Sequence, residues 1–208
     1  MAAPAGAPTR RPRPPADGTA AAAEYIEVVK GLWDSFDDDA FTHDRESGVY
    51  WHLDRIHSLD HTGDHYTVAG PLNVARPPQG HPLTAVTDPA LGAHADVVLL
   101  DTTDPEQART QREAIRRAAA AAGRDADQVK VIAPLPEGAG ADHIAQWTEQ
   151  QAADGFLVPL HRADDSFLTT VVPELRSRGL LDGQPPVAGT LRERLGLTRP
   201  AGRYAVAS

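Results

Sequence analysis

The sequence predicts an α/β fold in which about four parallel strands are joined by helices. From residue 83 onward, short apolar runs alternate with segments of helical periodicity, and this alternation is typical of parallel strands with right-handed crossovers. The apolar runs are Leu83–Val86, Asp96–Leu100, Val129–Leu135 and Gly155–Leu160. A closed eight-stranded α/β barrel needs about 250 residues, so four strands predict only part of such a barrel.

A helix is expected ahead of these strands, from about Ala20 to Phe36. Apolar side chains recur there at spacings of three and four residues, which indicates one buried face. These side chains are Tyr25, Val28, Val29, Leu32 and Trp33. The carboxylates of Asp37–Asp39 oppose the dipole at a helix C-terminus, so the helix should end there.

The segments on either side of this helix lack a regular pattern. Residues 1–19 are rich in Ala, Pro, Gly and Arg without a hydrophobic period, so we expect a disordered tail. Residues 40–80 are polar and rich in His and Asp, which predicts a loop excursion with one short strand at His65–Val68. The folded domain is therefore expected over residues 20–204.

Four further helical segments follow the strands. Asp104 is placed to cap a helix that ends at Gly123, with Pro105 at its first position and Gln107 completing a capping box. A second runs from Asp142 to Ala153 and buries Ile144, Trp147 and Ala152. A third, over residues 167–179, should be split or kinked by Pro173. The last is a short amphipathic piece at Thr190–Leu197.

Composition excludes several classes of function. The formal charge is −9, whereas phosphate binding by nucleic-acid-binding proteins needs an excess of basic residues. The chain has no cysteine, which excludes disulfides, thiolate nucleophiles and iron–sulfur clusters. No apolar run is long enough for a membrane span. Arg10-Arg11 lacks the apolar segment of a twin-arginine signal, so we expect a cytoplasmic protein.

Six phrases occur in an order that resembles one enzyme family. The match covers most of residues 22–204, and six phrases in sequence order are far more specific than any one. They are AEYIEVVKGLWDSF (23–36), RESGVY (45–50), GPLNVARPPQGHP (70–82), AADGF (152–156), VVPELRSRGL (171–180) and TLRERLGL (190–197). Together they resemble the nitrilotriacetate monooxygenase branch of the luciferase-like, flavin-dependent monooxygenases.

The resemblance carries expectations about fold and chemistry. Members of that family fold as (β/α)₈ barrels and use reduced FMN, supplied by a separate reductase, to activate O₂ against small organic substrates. The chain resembles the C-terminal half of such a barrel, so the first four strands, which the resemblance implies before Ala22, are expected to be absent. They carry much of the family's flavin-ring site and substrate pocket.

The resemblance fails at the place where the family binds the FMN phosphate. A Gln-Ala-Gly-Ser-Ser turn and a helix N-terminus are implied there, but residues 84–91 read TAVTDPAL. Thr87 is the one plausible remaining hydroxyl, Asp88 adds a carboxylate, and Pro89 removes an N–H donor. The family's long insertion has also shrunk, to Pro136–Ala141. FMN is thus the implied cofactor, with its site largely lost.

Other constellations have simpler explanations than a functional site. His57, His61 and His65 would form a metal-binding face on a helix, but Gly63 and the strand-like residues 66–68 favour a polar loop and no metal. Asp37–Asp39 fit a solvated acidic turn better than a cation site. The chain has no Gly-x-Ser-x-Gly sequence for a hydrolase. The tryptophans Trp33 and Trp147 are expected in the core, and Trp51 is either a contact residue or a packed loop anchor.

Two functions remain open on the sequence, besides a decayed remnant without function. The first is half of a flavin-dependent monooxygenase that needs a second chain. The second is a non-catalytic subunit or small-molecule binder that has lost flavin binding. In either case the exposed edges of half a barrel predict a homodimer, or a partner chain that supplies the missing half. Neither nucleic acid nor a membrane is expected as a partner.

Overall fold

The computed structural model describes residues 18–160, 165–181 and 189–205. All but the last two residues of the predicted tail, 1–19, lie outside these ranges. Within them, no helix is both long and apolar enough to cross a membrane.

The first helix, α1, spans Gly18–Trp33 and buries Ala21, Ile26, Val28 and Gly31. It begins two residues earlier and ends three residues earlier than predicted. Tyr25, which was expected on the buried face, is 55% exposed, and Trp33 is half-buried. The apolar face of α1 is therefore wider than the surface that its neighbours cover.

The loop excursion contains one small hairpin. Strand β1 (His61–Thr62) pairs antiparallel with β2 (Thr67–Val68), so the predicted strand at His65–Val68 is confirmed over its last two residues. A short 3₁₀ helix at Leu53–Arg55 is the other regular element. The remainder of residues 40–80 is irregular, as the polar composition predicts.

Four parallel strands form the main sheet, which confirms the predicted α/β fold. They are β3 (Ala85–Val86), β4 (Val97–Leu99), β5 (Lys130–Pro134) and β6 (Gly155–Leu157). The strands are adjacent in chain order, β3-β4-β5-β6, and each pair is parallel. Every strand lies within the predicted run but is shorter than it.

Helices α2 (Pro105–Ala121) and α3 (Ala141–Glu149) connect the last three strands. Gly123 has a left-handed φ of 76° and ends the first of them as predicted. The predicted extension of α3 to Ala153 is wrong, because Gln151 turns left-handed at φ 52°. A 3₁₀ helix at Pro89–His94 connects β3 to β4; a Cβ on Gly92 would lie 2.8 Å from the Ile115 side chain, so glycine permits this close approach to α2.

The C-terminal part contains two short helices. A π-helical turn at Phe167–Val171 leads into α4 (Val172–Ser177), and Pro173 in the first turn of α4 marks the predicted split. Gly179 ends the segment at φ 68°. Helix α5 (Leu191–Arg194) has a complete capping box between Thr190 and Glu193.

The core lies between the sheet and the helices on its outer face. Val98, Val131 and Ala133 of the strands are fully buried against Ile115 of α2 and Trp147 of α3. Because side chains alternate along a strand, the intervening residues point to the opposite, inner face.

Candidate functional site at the carboxyl ends of the strands

The carboxyl ends of parallel strands carry the chemistry in α/β barrels, so a functional site is expected in the turns there. After β3, the Asp88 carboxylate accepts a hydrogen bond from the Ala90 N–H, 2.9 Å away, and so caps the 3₁₀ helix. Thr87 and Asp88 are both exposed. The helix implied by the resemblance is reduced to six residues of 3₁₀ helix.

The turn after β4 is organised around Thr102, which is 7% exposed. Its hydroxyl donates to Gln107 Oε1 at 2.5 Å and accepts from the Asp104 N–H at 3.1 Å. Asp104 caps α2 by accepting from the Glu106 N–H at 3.0 Å. The predicted capping box is wrong, because Gln107 binds Thr102 and not the Asp104 backbone.

A small cavity of about 250 Å³ lies beyond the ends of β5 and β6. Its walls combine apolar side chains, including Leu135 and Phe167, with Glu137, Asp165 and Ser166. Asp165 Oδ1 accepts from the Phe167 N–H at 2.8 Å, so this carboxylate caps the π-helical turn. The cavity is small by the usual range for ligand pockets, about 300–1,000 Å³, and Asp165 and Ser166 both line it.

The three histidines spaced four apart do not converge. His57 Nε2 lies 3.1 Å from Asp37 Oδ1 and stacks on Tyr204, whereas His61 Nε2 lies 2.9 Å from Glu24 Oε1. This hydrogen bond lowers the pKa of Glu24. In the part of the chain that the structure describes, no group of three or more His, Cys, Asp or Glu could hold a metal ion.

The acidic turn is exposed, as predicted, but it is not merely solvated. Asp39 pairs with Arg55, and Asp38 accepts from Arg76 at 3.0 Å and from Arg199 at 2.5 Å. The hydrogen bond from Arg199, supported by Arg76, lowers the pKa of Asp38. The turn therefore ties the end of α1 to distant segments of the chain.

A buried ion cluster lies at the opposite, amino-terminal ends of the strands, where sequence reasoning predicted nothing. Asp34 Oδ1 accepts from Arg76 Nε at 2.7 Å and lies 2.9 Å from His81 Nε2. The three residues are 4%, 8% and 9% exposed. Burial by itself raises the pKa of Asp34, but the hydrogen bonds from His81 and Arg76 outweigh it and lower that pKa.

A second buried pair lies beside it. Arg192 of α5 donates hydrogen bonds from both terminal nitrogens to the Asp96 carboxylate, at 3.1 and 2.8 Å, and Asp96 Oδ2 also accepts from the Thr84 N–H at 3.0 Å. Arg192 is 3% exposed. This pair fixes the C-terminal helix to the starts of β3 and β4, which is a structural role.

The three tryptophans lie in different surroundings, and Trp33 is the one that departs from its predicted core position. Trp147 is 1% exposed and belongs to the core, whereas Trp33 faces a groove beside β3. Trp51 is 45% exposed, and its ring lies edge-on to Phe41 at 6.0 Å. Its two predicted roles, contact residue and loop anchor, are both compatible with this position.

Known proteins resemble the chain in sequence and in fold. Residues 4–171 match the family model of luciferase-like monooxygenases. A pristinamycin IIA synthase subunit of Streptomyces pristinaespiralis is 49% identical over 185 residues, which are 88% of this chain and 58% of that protein. A nitrilotriacetate monooxygenase component of Aminobacter aminovorans is 27% identical in an alignment that covers 88% of this chain and 63% of that protein.

The solved structure of long-chain alkane monooxygenase has the same fold, with a TM-score of 0.77 at 20% identity. The match covers 91% of this chain and 62% of that one, which confirms the predicted partial luciferase-like barrel. The chain spans about three fifths of these two relatives. Because the family model matches residues 4–171 and one relative is 49% identical, the chain belongs to the luciferase-like monooxygenase family.

Proposed function

We propose that the chain is a subunit of a luciferase-like monooxygenase, active only in complex with a second chain, and that it does not itself hold the flavin phosphate. Its contribution is scaffold and docking surface. The relative from Streptomyces pristinaespiralis is likewise named as a subunit of a synthase.

The observation that carries this proposal is the turn after β3. Phosphate binding at a helix N-terminus depends on free backbone N–H groups and on the positive end of the helix dipole. Here the Ala90 N–H is already taken by the carboxylate of Asp88, and Pro89 has no N–H to donate. A carboxylate thus lies where an anion would bind, and the residues present do not fit the FMN phosphate.

The short helix weakens the site further. The connection from β3 to β4 is a six-residue 3₁₀ helix, which aligns few peptide dipoles toward an anion. Thr87 is left as the one hydroxyl in the turn, and a single hydroxyl replaces few of the contacts that a phosphate needs. Each charge-assisted hydrogen bond lost costs about 1.5–3 kcal/mol, so losing several lowers affinity by orders of magnitude.

An alternative is a small-molecule-binding subunit without any part in oxygenation. The cavity beyond β5 and β6 favours it, since apolar walls with two carboxylates suit a small ligand with a polar or cationic group. A cavity of about 150 Å³ already holds benzene, so the volume of about 250 Å³ restricts such a ligand to roughly ten heavy atoms.

Titration calorimetry with FMN and riboflavin tests the main proposal. We expect neither flavin to bind at micromolar concentration and FMN to gain nothing from its phosphate. The variant Asp88→Asn removes the charge but can still cap the 3₁₀ helix, so it should not restore binding. A micromolar or tighter constant for FMN, well below that for riboflavin, would show that the phosphate site is intact.

A further inference from the structure

A pocket of about 410 Å³ lies at the amino-terminal ends of the strands, opposite the turns that carry chemistry in α/β barrels. Its walls come from five segments that are far apart in the chain. They include Lys30 of α1, Asp96 at the start of β4, Arg124 in the turn after α2, Arg192 of α5 and Pro200 of the C-terminal segment. A ligand in this pocket would therefore connect segments that the sequence separates.

Three cationic side chains meet around the turn before β4. Lys30 Nζ donates to the carbonyl of His94 at 2.7 Å, and Arg124 Nη1 donates to the carbonyls on either side of it, both at 2.8 Å. Arg192 binds the Asp96 carboxylate through both terminal nitrogens. Arg124 Nη2 lies 3.7 Å from that same carboxylate, so the three cations are close neighbours.

Negative charge in the pocket does not balance these cations. Asp96 and Asp125 are its two lining carboxylates, against three Lys and Arg side chains, in a chain with a formal charge of −9. Both oxygens of Asp96 already accept from Arg192. Lys30 pairs at 3.6 Å with Glu27, whose side chain is 48% exposed. The pocket is thus a locally positive site on an acidic protein.

The cations also retain hydrogen-bond donors that the described residues do not use. A guanidinium has five N–H groups and an ammonium has three. Arg192 is 3% exposed, yet its Nε is buried without a partner, and the bonds of Arg124 come from its two terminal nitrogens. Lys30 uses one N–H on His94 and directs a second toward Glu27. Buried donors without a partner are rare, and an ion or a water usually accounts for them.

The pKa of Lys30 indicates the same imbalance. Burial lowers this pKa and the positive charge of Arg124 lowers it further, while Glu27 and Asp96 raise it without restoring the usual value. An opposite charge nearby favours the charged form of a buried group. An anion in the pocket would therefore stabilise the ammonium of Lys30 and the guanidinium of Arg124 together.

We propose that this pocket binds a small oxyanion, of the size of phosphate or of a short dicarboxylate, between Lys30, Arg124 and Arg192. Guanidinium groups bind carboxylate and phosphate oxygens through paired hydrogen bonds, and the volume admits either class. The bound anion links α1, the turn after α2 and α5, and so stabilises the C-terminal helix on the sheet. The site is at the opposite end of the strands from the turn after β3, so it is independent of the proposed function.

Nuclear magnetic resonance of the full chain tests the site directly, because Lys30 and Lys130 are its two lysines. Protein labelled with ¹³C-lysine is titrated separately with inorganic phosphate and with malonate, and sodium chloride keeps the ionic strength constant so that screening does not count as binding. We expect the Lys30 Cε signal to shift and to saturate at millimolar anion. Lys130 of β5 does not line the pocket, and its signal should stay in place.

The two titrations also distinguish the sources of the oxyanion. Saturation by phosphate alone indicates a phosphate site, and saturation by malonate alone indicates a carboxylate site. If neither anion saturates the Lys30 signal, or if the two lysine signals move in parallel, the pocket holds no specific anion and the proposal is wrong.

Matched variants connect the signal to affinity. Lys30→Gln removes a charge inside the pocket, and Lys130→Gln removes the same charge outside it. A ligand that binds the folded state raises the melting temperature, so thermal unfolding at increasing phosphate measures the affinity of each variant. We expect Lys30→Gln to weaken phosphate binding by at least about tenfold and Lys130→Gln to leave it unchanged. Equal affinities in the two variants would overturn the proposal, and the wild-type titration tests it even if Lys30→Gln does not fold.

Discussion

Charged side chains behave differently at the two ends of the main sheet. At the amino-terminal ends of the strands, Asp34, Arg76 and Arg192 are at most 8% exposed and held in ion pairs, although the Nε of Arg192 has no hydrogen-bond partner among the described residues. At the carboxyl ends, Asp88 and Asp104 are exposed and cap the helices that follow them. In α/β barrels the first end serves stability and the second serves chemistry.

This difference between the two ends of the sheet indicates which structural features of the family the chain retains. Three of the phrases that carry the family resemblance contain Asp34, Arg76 with His81, and Arg192, all residues of the amino-terminal ion clusters. The turn after β3, at the other end, is where we propose that the chain departs from the family. The sequence resemblance therefore reflects a retained scaffold. It does not by itself show that a flavin site is retained.

The largest effect is expected from the variant Arg76→Met. It leaves Asp34 buried without its guanidinium partner, and breaking a buried pair costs about 3–5 kcal/mol. Denaturant unfolding measures the loss. The control is Arg178→Met, whose side chain is 37% exposed and whose ion pairs, screened by solvent, contribute little. Equal losses in the two variants would mean that the buried ion pair contributes no more to stability than the exposed ones.

Acid should weaken the amino-terminal end selectively. The pKa of Asp34 is lowered in the folded state, so its contribution is complete above the usual value, about 3.9. It is lost as the pH falls through the lower, folded-state value. Melting temperatures between pH 6 and pH 3 should therefore fall less steeply in Asp34→Asn than in the wild type. Parallel curves for the two proteins would contradict this.

A smaller effect is expected at the carboxyl ends. Asp104→Ala removes the cap of the 17-residue helix α2, which should cost about 0.5–2 kcal/mol. The matched control is Asp125→Ala, since Asp125 caps a 3₁₀ helix of only three residues and should contribute less. A loss in Asp104→Ala as large as in Arg76→Met would remove the contrast between the two ends.

Local sequence patterns predicted the regular elements well. The four strands lie within the four apolar runs, because continuous apolar segments between helices favour buried parallel strands. The left-handed glycines Gly123 and Gly179 end helical segments as expected. The capping box of Gln107 failed because Thr102, five residues earlier, offered its side chain a hydrogen-bond donor.

The sequence by itself determined the fold class and the family, because each depends on residues adjacent in the chain or on their order. The ion clusters were decided by tertiary structure alone. Asp34 and Arg76 are 42 residues apart, and Asp96 and Arg192 are 96 apart, so no local pattern relates them. The groove beside β3 likewise exists only because packing leaves Tyr25 and Trp33 of an amphipathic helix uncovered, and periodicity cannot tell a covered apolar face from an open one.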